Sequence, residues 1–176
     1  MNIVLIGYRG SGKTTVARHV AVLLGWDWVD ADVEVELRAG KSIAAIFADE
    51  GEPAFRELES RALAELTARD RLVVAAGGGA VLREDNREAL AHCRVVWLVA
   101  SVETLLARVS ADATTAARRP NLTTAGGASE VRRLLAEREP LYRQLAEVSV
   151  RTDDRSAADI AREIVERLAI DTAQSE

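Results

Sequence analysis

Gly7-Tyr8-Arg9-Gly10-Ser11-Gly12-Lys13-Thr14 fits the pattern G-x-x-x-x-G-K-[ST], and its residue types are those that hold phosphate. Glycines let the backbone turn several N–H groups inward, so that they form an anion nest at the start of a helix. Lys13 would place a mobile positive charge on the β- and γ-phosphates of a nucleotide, and the Thr14 hydroxyl can ligate Mg²⁺. Of the 23 basic residues only Lys13 and Lys41 are lysine, so arginine is this chain's default cation. A lysine at the one place that wants a compact ammonium is therefore informative.

A phosphate cradle needs an acid nearby to hold magnesium-bound water. The apolar run Leu72–Ala75 leads into Ala76-Gly77-Gly78-Gly79 and Val95–Val99 into Ala100-Ser101, neither with a carboxylate. Only Trp28-Val29-Asp30-Ala31-Asp32 ends in acids. In extended chain Asp30 and Asp32 would share one face at the C-terminal edge of a sheet, where open α/β sheets bind ligands. One carboxylate can hold water on Mg²⁺ while the other accepts a proton from an attacking hydroxyl. The plainer alternative is that Asp32 caps a helix starting at Val33. The chain has neither an N-K-x-D base-reading signature nor a D-x-x-G switch, which disfavours a GTPase.

Three further features bear on an acceptor. Gly77, Gly78 and Gly79 form either a simple strand-to-helix turn or a place where backbone N–H groups approach a ligand closely. Arg138 falls on the apolar stripe Val131, Leu134, Leu135, Leu141, Tyr142 and Leu145, where a charge needs a partner. That partner is a protein carboxylate or an anion bound in a cleft. Arg56 borders the stripe Phe55–Leu58–Ala62, with Glu59 one turn on as an internal salt-bridge candidate. Two arginines entering one cleft from different helices would instead make forked hydrogen bonds to a substrate carboxylate.

These side chains need a scaffold. The runs Ile3–Ile6, Trp28–Val29, Leu72–Ala75, Val95–Val99 and Val148–Val150 read as buried strands of a parallel sheet. Helical periods lie between them at Val16, Val20, Leu23 and Leu24, at Phe55, Leu58, Ala62 and Leu66, and at Ile160, Ile164 and Leu168. Ser156 is the expected N-cap of the last helix, with Asp159 at N3 to accept its backbone donors. Alternating strands and helices mean a layered α/β fold with right-handed crossovers. Ser110–Ser129 has no sustained apolar period and holds Arg118-Arg119-Pro120, so it is either a surface insertion or a lid, and the paired arginines favour a lid. The Asp171–Glu176 tail is expected to fray.

With 176 residues and 19.0 kDa the chain is expected to be one domain, 1–176. Its 48% hydrophobic and 29% charged residues fit a soluble globule. Net charge of −5 and a pI near 5.2 argue against a nucleic-acid partner, so an anionic ligand must meet a local basic pocket. The single Cys93 excludes an internal disulfide and suits a reducing compartment. No apolar run approaches the ~20 residues of a membrane span, and the Met1-Asn2-Ile3-Val4 start lacks an export signal. The expectation is a cytoplasmic protein without a membrane partner. Nothing demands an oligomer, and a monomer is expected.

In order along the chain, Gly7–Thr15, Asp30-Ala31-Asp32, Phe55-Arg56-Glu57-Leu58-Glu59, Gly77-Gly78-Gly79-Ala80-Val81, Arg119-Pro120 and Arg138-Glu139-Pro140-Leu141-Tyr142 resemble the shikimate kinase family. The likeness covers nearly the whole chain. It implies a P-loop α/β/α fold like that of nucleoside monophosphate kinases, with five parallel strands in the order 2-3-1-4-5. The lid would span about 110–129 and the substrate-binding helical segment about 32–61. It also implies transfer of the ATP γ-phosphoryl group to the 3-hydroxyl of shikimate, on the way to chorismate and aromatic amino acids. By the same resemblance Asp32 would bind the ring hydroxyls and help deprotonate one. Arg56 and Arg138 would clamp the carboxylate, and Gly78 and Gly79 would touch the same ligand. Gly10, Ser11, Gly12, Lys13, Thr14 and Thr15 would hold ATP, with Thr14 on Mg²⁺ and Asp30 behind it. Arg119 would descend with the lid onto the phosphates, Arg108 would stack on adenine, and Arg155 would lie in the loop bordering the base. The chain departs from the family at Asn121, where R-P-L is usual, and at Ala157, where many members carry proline; Arg118 is a rival for the lid role. Another small P-loop kinase, acting on gluconate or a nucleoside monophosphate, is the nearest rival activity. A non-catalytic nucleotide-binding regulator is the rival from another class.

Overall fold

Runs with no polar face, such as Ile3–Ile6 and Leu72–Ala75, have to be covered on both sides. The computed structural model covers them so; it describes residues 1–111 and 127–170. The elements run β1 (Ile3–Ile6), α1 (Lys13–Leu24), β2 (Asp27–Asp30), α2 (Ala31–Ala39), α3 (Ile43–Thr67), β3 (Leu72–Ala75), a 3₁₀ turn (Ala80–Leu82), α4 (Glu84–Leu90), β4 (Arg94–Val99), α5 (Val102–Ala111), α6 (Gly127–Leu145), β5 (Val148–Arg151) and α7 (Ala157–Arg167). The expected lid, 110–129, falls mostly outside the described residues; its first residues end α5 and its last ones begin α6.

All strand pairs are parallel, in the order β2-β3-β1-β4-β5, as expected. Ile3 lies opposite Val73 on one side and Arg94 on the other. The order puts β1 in the middle, with the glycine-rich ends of β1 and β3 side by side and the Asp30 end of β2 next to them. The expectation that every strand is buried holds for the three central strands and fails at the edges. Asp27 and Trp28 of β2 are exposed, and β5 alternates buried and exposed residues. An edge strand has a neighbour on one side only, and the helices cover the middle of the sheet first.

Alternate strand residues face opposite layers. Ile3, Leu5, Val73, Val96 and Leu98 pack with Val16 and Val20 of α1 and Ile160 and Ile164 of α7. Val4, Ile6, Val74 and Val95 pack with Leu63 and Leu66 of α3, Leu90 of α4 and Tyr142 of α6. Each such fully buried aliphatic side chain contributes ~1.5–3 kcal/mol. A separate cluster of Val35, Ile43, Ile46, Phe55 and Ala62 joins α2 to α3. Along α3 the helix is interrupted at Gly51 (φ 81°), which allows Pro53 to enter the second half as a first-turn residue.

Ser156 caps α7 as expected, its Oγ accepting the Asp159 N–H at 3.1 Å. Asp159 takes the Ser156 hydroxyl at 2.6 Å instead of a backbone donor. The buried Asn2 carries an unanticipated tie. Its amide donates to the carbonyls of Thr67, the last residue of α3, and Arg69 just beyond it, and its Oδ1 accepts the Leu72 N–H at 3.2 Å. No helix among the described residues is long and apolar enough to cross a membrane.

Candidate active site

The chain leaves β1 at Ile6 and enters α1 at Lys13, with Gly12 as N-cap in the left-handed region (φ 93°). No side chain caps this helix and no acid lies in its first turn. Its leading N–H groups, together with the positive end of the helix dipole, therefore suit an anion. Lys13 folds back over the loop, its Nζ donating to the carbonyls of Gly7 at 2.9 Å and Tyr8 at 3.0 Å. Gly10 and Thr15 line the same cleft, whereas Ser11 is fully buried in the loop. The cleft has a volume of about 570 Å³, and Arg9, Lys13, Arg18 and Arg108 supply cations to its wall in a chain that is acidic overall.

Asp30 and Asp32 line this cleft too, but not as residues of one strand face. Asp30 ends β2 and caps α2, its Oδ1 accepting the N–H groups of Asp32 at 3.0 Å and Val33 at 3.4 Å. The extended-chain expectation fails because an aspartate followed by a helix satisfies the open N–H groups with its own side chain. The capping residue is thus Asp30, and Asp32 stands in the first helical turn. The other oxygen of Asp30 accepts the Thr14 hydroxyl at 2.6 Å. This pair joins the end of β2 to the start of α1.

Gly77, Gly78 and Gly79 do form the strand-to-helix turn, Ala80 N–H donating to the Gly77 carbonyl at 3.0 Å. None of the three has a positive φ, so backbone conformation does not demand glycine here. Space does. A Cβ on Gly77 would stand 2.5 Å from Glu59 Oε1 and 2.9 Å from Asp32 Oδ1, and one on Gly79 would stand 2.6 Å from Arg56 Nη1. A Cβ on Gly78 would lie 3.3 Å from the Arg9 nitrogen, so the turn also abuts the cradle. The turn of the first reading is observed, and protein atoms stand where its missing side chains would be.

Arg56 makes the expected internal salt bridge. It pairs with Glu59 at 2.8 Å and with Glu52 at 3.0 Å while its guanidinium lies against Gly79. Burial would lower its pKa, but the Glu59 and Glu52 carboxylates together more than offset this, and Arg56 holds its proton above the ordinary arginine range. Arg138 meets no protein carboxylate among the described residues; its Nη1 donates to the Gly78 carbonyl at 3.1 Å, and its guanidinium sits 5.5 Å from the Tyr8 ring centre. Arg138 and Arg56 therefore reach the glycine turn from α6 and α3.

On the nucleotide side Arg108 bonds the Thr152 hydroxyl at 3.0 Å and its carbonyl at 2.7 Å, tying α5 to the loop before α7. Arg155 turns away to Glu163 at 2.6 Å and does not line the cleft. Arg118 and Arg119 lie outside the described residues. Sequence reasoning missed Arg18 and Trp28, which stack at 4.6 Å on the cleft wall; Trp28 had been taken for a buried strand residue. It also read Tyr142 as core alone. Tyr142 is fully buried, yet its hydroxyl donates to the Gly78 carbonyl at 2.6 Å.

Comparison with known proteins bears on this geometry directly. The family model for shikimate kinase matches residues 9–169. A shikimate kinase of Pseudomonas savastanoi pv. phaseolicola is 47% identical over 169 residues, covering 96% of each chain. The structure of the Acinetobacter baumannii shikimate kinase in complex with shikimate superposes with a TM-score of 0.90 at 42% identity, over 96% of this chain and 92% of that one. A gluconokinase of Sinorhizobium meliloti, at 21% identity and a TM-score of 0.57 over 96% and 91% of the two chains, shares the fold alone. A match that runs from the phosphate cradle through the last strand, with nearly half the residues identical, settles the matter: this chain belongs to the shikimate kinase family.

Proposed function

We propose that the chain transfers the γ-phosphoryl group of ATP to the 3-hydroxyl of shikimate, giving shikimate 3-phosphate and ADP. The carrying observation is the convergence of Asp32, Arg56 and Arg138 on the Gly77–Gly79 turn, beside a cradle that fits a triphosphate. One carboxylate and two guanidiniums suit an acceptor that has both a hydroxyl to activate and a carboxylate to hold.

The triphosphate rests on the N–H groups of Gly10–Thr15, and Lys13 exchanges its contacts with the Gly7 and Tyr8 carbonyls for phosphate oxygens. Arg56 and Arg138 fork onto the shikimate carboxylate, and the N–H groups of Gly78 and Gly79 help to fix the ring. Asp32 accepts the proton of the attacking hydroxyl. The hydroxyl oxygen bonds the γ-phosphorus in line as the bond to the bridging oxygen breaks, and ADP leaves with that electron pair. Charge spreading over the transferred group is met by Lys13 and, from the lid, by Arg119, with Arg118 its alternative. Arg108, on the cleft wall, contacts the nucleotide base; Arg155, held by Glu163 away from the cleft, has no part in it.

Thr14 Oγ1 and Asp30 Oδ2 offer the hard oxygen chemistry that Mg²⁺ takes, so these residues fit it. Thr14 would hold the ion and Asp30 its water; when bound, Mg²⁺ neutralises charge on the phosphates. The lone Cys93 supports a cytoplasmic location as part of this reading.

ADP release measured with shikimate, gluconate, AMP and CMP in parallel tests the activity. Turnover is expected on shikimate alone. Turnover on another acceptor with none on shikimate overturns it.

A further inference from the structure

The Gly78 carbonyl accepts two hydrogen bonds, from Tyr142 Oη at 2.6 Å and Arg138 Nη1 at 3.1 Å. The two donors differ in what else they can do. Arg138 is half-buried, with further guanidinium donors to offer an anion. Tyr142 is fully buried, its ring packed 5.8 Å from that of Trp97, and its hydroxyl has nowhere to turn. We propose that Tyr142 is a positioning residue for the acceptor: it holds the Gly78 carbonyl so that Arg138 can move onto the acceptor's carboxylate without loosening the glycine turn. This rests on the reading of Arg138 and the glycine turn as the acceptor side.

The lever is the planarity of the peptide. In a trans peptide the carbonyl and the following N–H point in opposite directions, so a fixed Gly78 carbonyl fixes the aim of the Gly79 N–H. Gly78 and Gly79 have no side chains with which to anchor this peptide, and a Cβ on either would press on Arg9 or on the Arg56 guanidinium. Orientation must come from a bond to the backbone itself. Burial pushes the Tyr142 hydroxyl up to about 12, against the opposing pull of Arg138, so it remains a donor across the working pH range. A buried tyrosine needs some acceptor in any case. What distinguishes this one is that its acceptor is the peptide between the two glycines.

Y142F keeps the ring against Trp97 and removes only the donor. In steady-state kinetics the KM for shikimate is expected to rise about tenfold, with the KM for ATP within about twofold of wild type. Combined with R138K, the loss should exceed the product of the single effects, because one carbonyl then loses both donors. In the wild-type chain the Gly79 amide proton is expected to shift in NMR spectra, and to exchange more slowly, when shikimate is added. If R138K weakens shikimate binding while Y142F changes neither KM, the proposal fails and the acceptor-side reading stands. If Y142F lowers only the melting temperature, or raises both KM values equally, the role is structural and the proposal fails. If neither variant alters the KM for shikimate, the acceptor-side reading itself is overturned.

Discussion

On one side of the cleft, the phosphate cradle is nine consecutive residues, Gly7–Thr15, and its binding atoms are mostly backbone N–H groups at the open end of α1. On the other side, Asp32, Arg56, Glu59, Gly77–Gly79, Arg138 and Tyr142 come from α2, α3, the turn after β3, and α6, and they meet mostly through side chains packed on a glycine turn. The cradle works because a loop of small residues exposes its main chain. The acceptor side works because small residues in one turn make room for large charged ones from elsewhere. Glycine serves conformation in the first case, at Gly12, and vacant space in the second, at Gly79. In the proposed function the donor half is generic to phosphate binding, and the acceptor half carries the selectivity.

Asp32→Asn tests that division most severely. Its turnover should fall at least ~100-fold while ATP affinity, measured by calorimetry, stays near wild type. A comparable loss of ATP affinity would mean that Asp32 serves the cradle. Next is Gly79→Ala, whose methyl group would collide with the Arg56 guanidinium. Displacing a charged donor should cost on the order of 30-fold in kcat/KM for shikimate with the KM for ATP unchanged; near-normal kinetics would show that Arg56 yields without consequence. Arg138→Lys should raise the KM for shikimate about tenfold, since an ammonium cannot reproduce a fork, and equal rises for both substrates would place Arg138 between the halves. The smallest effect belongs to a residue in neither. Ser156→Ala removes the α7 cap, for about 1 kcal/mol and a melting temperature ~2–4 °C lower. Its kinetics should not change, and a raised KM for ATP would draw the loop of Arg155 into the nucleotide side.

The central strands were legible because an apolar run buried on both faces advertises itself in any window of the chain. The edges were less so: nothing in Asp27–Asp30 says that Trp28 faces a cleft, as burial at an edge depends on which helix reaches it. The cradle was readable residue by residue, being contiguous. Asp30 and Asp32 were found, but their geometry was mistaken, since spacing by two describes a strand and here the first aspartate caps a helix whose first turn holds the second.

The sequence by itself determined the phosphate loop, the alternation of strands and helices, and which charges lie on apolar stripes, because each is written in neighbouring residues. Tertiary structure alone decided that Arg138 and Tyr142 share the Gly78 carbonyl, that the Arg56 guanidinium presses on Gly79, and that Thr14 meets Asp30. Those contacts join segments as far as 64 residues apart, and they exist only once the order of strands has brought the tips of β1, β2 and β3 together.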